Sequence, residues 1–294
     1  MSIWQNLRPG CRFVALVLFW VPSAFPPLLA QSPKELMTDA CQNELQQRKQ
    51  NALWVSQVQR LSAEHVYREQ EIDTVEGTIR RLLSIDGHPP SPSEQKRDDD
   101  RLRQLQNPKT RLTLKKNQEA SEQKVDDLLR VIPDMFIYED QGKHGSLELL
   151  AFVPNPAYKP MSYEEVALHA MKGAVLIDLH EKKLAQFSGT LMQQVEFAHG
   201  LLGHLNKGGR IEVKRVRLSS GQWGTSLFRT DLDGRFAIFE NISKHIAETR
   251  SDFEPVLPDT NIQRALEQFE AKSAISSQPT KGDSERLHES KNAF

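Results

Sequence analysis

Cysteine is almost missing from this chain, with two residues, Cys11 and Cys41, in 294. Cys11 falls in an N-terminal leader, so the mature chain keeps Cys41 alone and an internal disulfide is excluded. The fold must hold by packing, and the length is ample to bury a core. An excess of one charge is missing too. Lys and Arg number 38 against 39 Asp and Glu, a formal net charge of -1, so no basic surplus drives binding to nucleic acid. Past the leader no apolar run is long enough to cross a bilayer, and no transmembrane segment is expected once the leader is removed. The sequence carries no Gly-x-Ser-x-Gly elbow, no His-Glu-x-x-His pair and no dinucleotide fingerprint. No catalytic residue, cofactor or metal is therefore expected.

What is present begins with export. Arg8 and Arg12 precede the apolar stretch Phe13–Val21, which Pro22, Pro26 and Pro27 break before Leu28-Leu29-Ala30. This reads as a signal peptide over 1–30 cleaved after Ala30, with an uncleaved anchor as the alternative. Cys41 follows Thr38-Asp39-Ala40, too polar and too far along for a lipobox. The expected destination is a bacterial periplasm or the outside. Asn241-Ile242-Ser243 is a formal glycosylation sequon inside a strand pattern, and reads as chance.

Residues 31–50 predict a short helix behind the capping box Ser32-Pro33-Lys34-Glu35. Its apolar positions are sparse, which places it on the surface. Residues 51–86 predict two or three strands, stopped by Asp86-Gly87 and Pro89-Pro90. The charged stretch 91–132 predicts two helices split at Asn107-Pro108, with Pro133 ending the second; its charge run reads as a solvated face. Met135–Tyr138 and Leu147–Phe152 are expected strands flanking a polar turn over 139–146. Ser162–Glu165 caps a short helix through Lys172, with Gly173 as its left-handed cap.

About six short strands are expected from Gly173 to Ile246. Turn signals lie at 180–183, 206–209, 219–221 and 231–234, and a bulge is expected near Lys214-Arg215. Such short connections make neighbouring strands antiparallel. The fold class is thus α+β, a curved antiparallel sheet, or half-open β-barrel, packed against helices, with the sheet domain over 51–257. A short helix over 261–269 and a disordered tail over 272–294 close the chain.

Polar candidates are few. His199 and His204 stand five apart, which puts the two imidazoles on different faces, with no carboxylate partner nearby. Asp178 and His180 share a strand face and could form an acid–base pair; the competing reading is a strand end that hydrogen-bonds the following turn. The apolar set Phe187, Leu191, Phe197, Trp223, Leu227, Phe236 and Phe239 reads either as core or as the lining of a cavity able to hold an acyl chain.

The segment Gly173-x-x-x-Ile177-Asp178-x-x-x-x-x-Leu184-x-x-Phe187-x-Gly189-x-Leu191, behind a leader and helical pieces, resembles the periplasmic lipoprotein-carrier superfamily (the LolA/LolB/LppX type). Leu82-x-x-x-Asp86-Gly87-x-Pro89-x-Ser91, Pro154-Asn155-Pro156 and Gly234-Arg235 carry the likeness further, toward exported proteins of Gram-negative bacteria, over roughly 51–255. The resemblance implies an incompletely closed sheet wrapped around helices, holding a lipid or acylated protein between them. A structural adaptor of the cell envelope with a filled core and a hydrolase are the competing expectations.

Overall fold

Serine caps set three of the helices. The Ser32 hydroxyl accepts the Glu35 N–H at 3.2 Å while the Glu35 carboxylate accepts the Ser32 N–H at 2.9 Å. Ser91 and Glu94 repeat this exchange at 3.3 and 2.7 Å, and Ser162 accepts the Glu165 N–H at 3.2 Å. The helices are α1 (Pro33–Arg48), α2 (Pro92–Gln104), α3 (Pro108–Met135), α4 (Tyr163–His169) and α5 (Ile262–Ser276). This computed structural model describes residues 31–50, 52–62, 64–198, 202–236 and 240–276, the side chains of 236–244 and 272–276 excepted. The described residues from Ser32 onward belong to one compact unit. The expected leader and most of the expected tail lie outside the described residues.

The strands are β1 (Trp54–Ser62), β2 (His65–Ile72), β3 (Ile79–Ile85), β4 (Phe136–His144), β5 (Leu147–Pro154), β6 (Met171–Asp178), β7 (Lys183–Leu191), β8 (Val195–Phe197), β9 (Gly203–Leu205), β10 (Arg210–Arg217), β11 (Trp223–Phe236) and β12 (Glu240–Pro255). They form one curved sheet in the order β3-β2-β1-β12-β11-β10-β7-β6-β5-β4, with β8 and β9 added beside β11. Every pairing is antiparallel. The sheet does not close, since β3 and β4 end the order at opposite edges. The expected bulge is present as a register shift between Lys214 and Arg215.

Several local expectations are corrected. Residues 231–234 do not turn the chain: they lie within β11, with Asp231 opposite His245 and Gly234 opposite Ile242. Period-two pairing along a 14-residue strand outweighs the local turn propensity of Asp-Leu-Asp-Gly. Gly173 is not a helix cap. It sits in β6 opposite Phe152 and Gly189, where an added Cβ would meet the Ser188 carbonyl oxygen at 1.8 Å. The missing side chain admits a close backbone approach. Pro133 stays inside α3, and β4 absorbs most of the expected 139–146 turn. α5 reaches Ser276, so 272–276 is helical.

Side-chain alternation splits the sheet into two faces. On the first face Leu150, Val175, Phe187, Val213, Phe228, Glu248 and Arg60 follow one another across the ladders. α1, α4 and the C-terminal part of α3 cover this face over β4–β7, burying Leu36, Met37, Cys41 and Leu129 against Phe136, Leu150, Phe152, Val175, Ile177 and Leu191. α1 is therefore a core helix, contrary to the surface placement expected from its sparse apolar positions; few as they are, Leu36, Met37, Ala40 and Cys41 share one helical face and are all buried. The other end of the sheet is covered on its second face. There α2 and α5 bring Leu102, Leu105, Ile262, Leu266 and Phe269 onto Val55, Ile72 and Ile79. α3 joins the two clusters: Leu114 packs against one and Leu129 lies in the other. At 28 residues it is about 42 Å long.

The helices of 91–132 thus do not line a single concave face. Among the described residues, helices cover each face of the sheet over one half only, and the halves left open by the helices are diagonal to each other.

Candidate functional site

The apolar candidates from the sequence fall into three groups. Leu191, Phe197 and Trp223 are buried, at 1%, 3% and 9% exposure. Phe197 meets the Tyr163 ring edge-on at 5.6 Å between centroids. Trp223 is fixed by polar contacts: its indole N–H donates to Glu181 Oε2 at 2.6 Å, and its carbonyl accepts from Gln47 and Arg215, each at 2.8 Å. The indole bond, with Arg217 beside it, holds the Glu181 carboxyl below the usual range. Phe187 is half-buried and stacks on Phe152 at 5.2 Å. Leu227 does not join them. It pairs with Lys214 and Thr249, which puts it on the second face; its neighbour Phe228, 36% exposed, occupies the first face beside Val213. The Phe236 side chain and Phe239 lie outside the described residues.

A buried polar strut backs this half of the sheet. Glu44 of α1, 3% exposed, accepts the Leu184 N–H at 3.3 Å and pairs with Arg215. Burial pushes the Lys183 ammonium down and the Cys41 thiol up to about 12, Glu44 adding to the latter. Cys41 is an inert packing residue in this setting.

The open half of the first face carries a lattice of charge that was not picked out in the sequence. Glu69 and Glu71 of β2 lie between Arg60 of β1, Arg80 of β3 and, on β12, Glu248 and Arg250. Arg60 donates to Glu69 at 3.0 and 3.3 Å, and Arg80 to Glu71 at 2.6 Å and to Glu248 at 2.9 and 3.0 Å. Arg250 donates to Glu71 at 2.9 Å and to Glu248 at 2.7 Å. Burial works to raise the Glu248 carboxyl, but Arg80 and Arg250 outweigh it and hold it low. The Arg60 guanidinium also lies 4.3 Å from the Tyr67 ring centre, a cation–π contact. The signal that could have found the lattice is the i, i+2 spacing of Glu69 with Glu71 and of Glu248 with Arg250, which puts each pair on one strand face.

A cleft of about 550 Å³ opens over Arg60, Tyr67, Arg80, Asp98 and Arg101. A second, of about 420 Å³, lies by Leu105, Lys109, Thr113 and Leu114 where α2 meets α3. In the first, Arg101 is bonded to Asp98 at 2.6 Å and the lattice guanidiniums are bonded to carboxylates. Each of the three arginines that line it has a carboxylate partner.

Asp178 and His180 do not form an acid–base pair. Asp178 Oδ1 accepts the backbone N–H of His180 at 3.0 Å and of Glu181 at 2.8 Å, the turn-stabilising arrangement of an aspartate at a strand end. His199 lies outside the described residues, and His204 sits in β9 opposite Glu196 and Arg235. Among the described residues one group has metal-ligand composition: Asp231, Asp233 and His245, all exposed. Its single imidazole bridges the carboxylates, Nδ1 to Asp231 and Nε2 to Asp233 at 3.2 Å, and the Asp231 bond raises the His245 pKa. The group satisfies itself by hydrogen bonds.

No family model, curated protein or solved structure matches this chain.

Proposed function

We propose that the protein is an exported, non-catalytic binding module that engages an envelope protein through surfaces outside its core. The observation that carries this reading is the closure of the apolar half. Leu191 and Phe197, which an acyl-chain cavity would need as lining, are 1% and 3% exposed within the cluster formed with α1 and α3. Export rests on the leader over 1–30, and the non-catalytic reading on the carboxylate partner that each arginine of the open cleft holds. Mass spectrometry of gently purified protein tests the reading: no co-purifying lipid is expected, and a stoichiometric lipid would sink it.

One observation favours a second reading, a lipid or acylated protein as guest in the manner of the lipoprotein carriers. Phe187, Val213 and Phe228 make a continuous apolar row on the first face, and Phe228 at its end is 36% exposed. A guest seated there would lie beside the covered half rather than within it. Phe228→Glu would abolish binding of a fluorescent fatty acid on this reading.

A further inference from the structure

The two free edges of the sheet are treated differently. At β3, helix α2 supplies side chains to the backbone: the Leu82 N–H donates to Asp98 at 3.1 Å, and Arg101 donates to the Arg80 carbonyl. Ile85 is further bridged to His88. This edge is blunted. β4, the opposite edge, pairs with β5 alone. Among the described residues, no side chain or loop takes up the outward backbone groups of Phe136–Asp140. An uncovered edge is a template for another strand.

The open half of the second face adjoins this edge. Ile137 lies opposite Val153, Ala151 opposite Ala174 and Leu149 opposite Leu176. Ile137 and Val153 are 52% and 47% exposed, and among the described residues no helix packs there. Glu139 and Asp140, both exposed, end the pairing segment before the register shift between Asp140 and Lys143. The edge therefore offers an apolar position, Ile137, and an acidic one, Glu139, two residues apart on one face.

Charge decides what fits. A second copy of β4 pairing antiparallel about its centre sets Asp140 against Asp140. Moving the axis to Tyr138 sets the carboxylates of Glu139 and Asp140 against Ile137 and Phe136. Like charges directly opposite destabilise the ladder in the first register, and the second leaves each carboxylate facing an apolar side chain with no cation, so neither register favours self-pairing.

We propose that the β4 edge, Phe136–Asp140, docks an extended segment of a partner protein by strand addition. That segment places a Lys or Arg opposite Glu139 and an aliphatic residue opposite Ile137. Main-chain hydrogen bonds supply the affinity and these two positions the specificity. The inference rests on the binding-module reading and names its surface.

The test uses the full chain and a fluorescein-labelled, end-blocked peptide, Thr-Lys-Thr-Val-Thr-Val, followed by anisotropy. Saturable binding is expected. Glu139→Lys should weaken it about five- to tenfold, and a peptide with Glu in place of Lys should recover that loss on the Glu139→Lys protein. In a strand, alternate amides point to the edge. N-methylating the Thr amides and N-methylating the Lys and Val amides should therefore differ, one set abolishing binding and the other leaving it intact. Equal binding of both methylated peptides would overturn strand addition, as would indifference to Glu139→Lys. A dimer in sedimentation that dissociates in Ile137→Asp and is untouched by the peptide would overturn it in favour of a second copy. A co-purifying lipid contradicts the parent reading without touching these outcomes, so the two fail separately.

Discussion

Arg80 and Glu248 meet across two intervening strands. Arg80 on β3 donates to both carboxylate oxygens of Glu248 on β12, at 2.9 and 3.0 Å, although β2 and β1 lie between them in the sheet. The pair closes a lattice in which Arg80 touches three carboxylates, Arg250 two, and Arg60 a carboxylate and a ring. Removing one member leaves the others partly buried and short of a partner. Glu248→Ala should cost about 3 kcal/mol, seen as a lower urea midpoint with the denaturant slope unchanged.

Asp73 gives the protein a pH signature of definite sign. Burial pushes its carboxyl up to about 6, against the opposing hydrogen bond from Thr78 and with Glu71 adding to the rise. A carboxyl whose folded pKa is raised binds its proton more tightly when folded, so stability rises as pH falls from about 6 toward the ordinary carboxyl value near 4. Carboxylates held low, such as Glu248 and Glu165, act oppositely and lose their contribution below that window. His65 and His245, raised by their aspartates, lose theirs as pH rises through the neutral range. The difference between the natural protein and Asp73→Asn isolates Asp73. Urea midpoints across pH 4 to 7 should show the variant gaining relative stability at the upper end, and Asn can still accept from Thr78.

Gly173 and Gly189 face each other between β6 and β7, and the gap adjoins the Phe152–Phe187 stack. Gly173→Ala drives a Cβ into the Ser188 carbonyl, a backbone atom that cannot swing aside. About 3 kcal/mol should be lost, with the near-ultraviolet dichroism of the stacked rings changing alongside the thermal midpoint.

The fold was legible where chemistry is local. Serine caps at 32 and 162, the Asn107-Pro108 break and the bulge at Lys214-Arg215 all stand as the sequence reads. What escaped is set by partners distant in sequence. Residues 231–234 look like a turn until the pairing of Asp231 with His245 is known. Leu227 alternates as a candidate for the apolar face, yet the bulge and ladder register give that place to Phe228. The Arg80–Glu248 contact joins residues 168 apart, beyond any local pattern. The division of the helices between two faces follows from which strand edge each one reaches, and no spacing encodes that.

Leu191 and Leu227 separate core from surface by register. Leu191, 1% exposed, packs with the α1 cluster, so Leu191→Ala should lose about 2–4 kcal/mol. Leu227, half-buried on the second face, should lose markedly less on the same truncation. Equal losses in paired denaturation curves would contradict the assignment of faces.

The central claim is that the apolar half is filled and that binding happens outside it. Titrating the purified protein with a fluorescent anthroyloxy fatty acid tests this most directly. The account predicts a weak, non-saturating signal that Leu191→Ala leaves unchanged after correction for unfolded protein. Saturable one-to-one binding at micromolar protein, competed by unlabelled fatty acid, would contradict it.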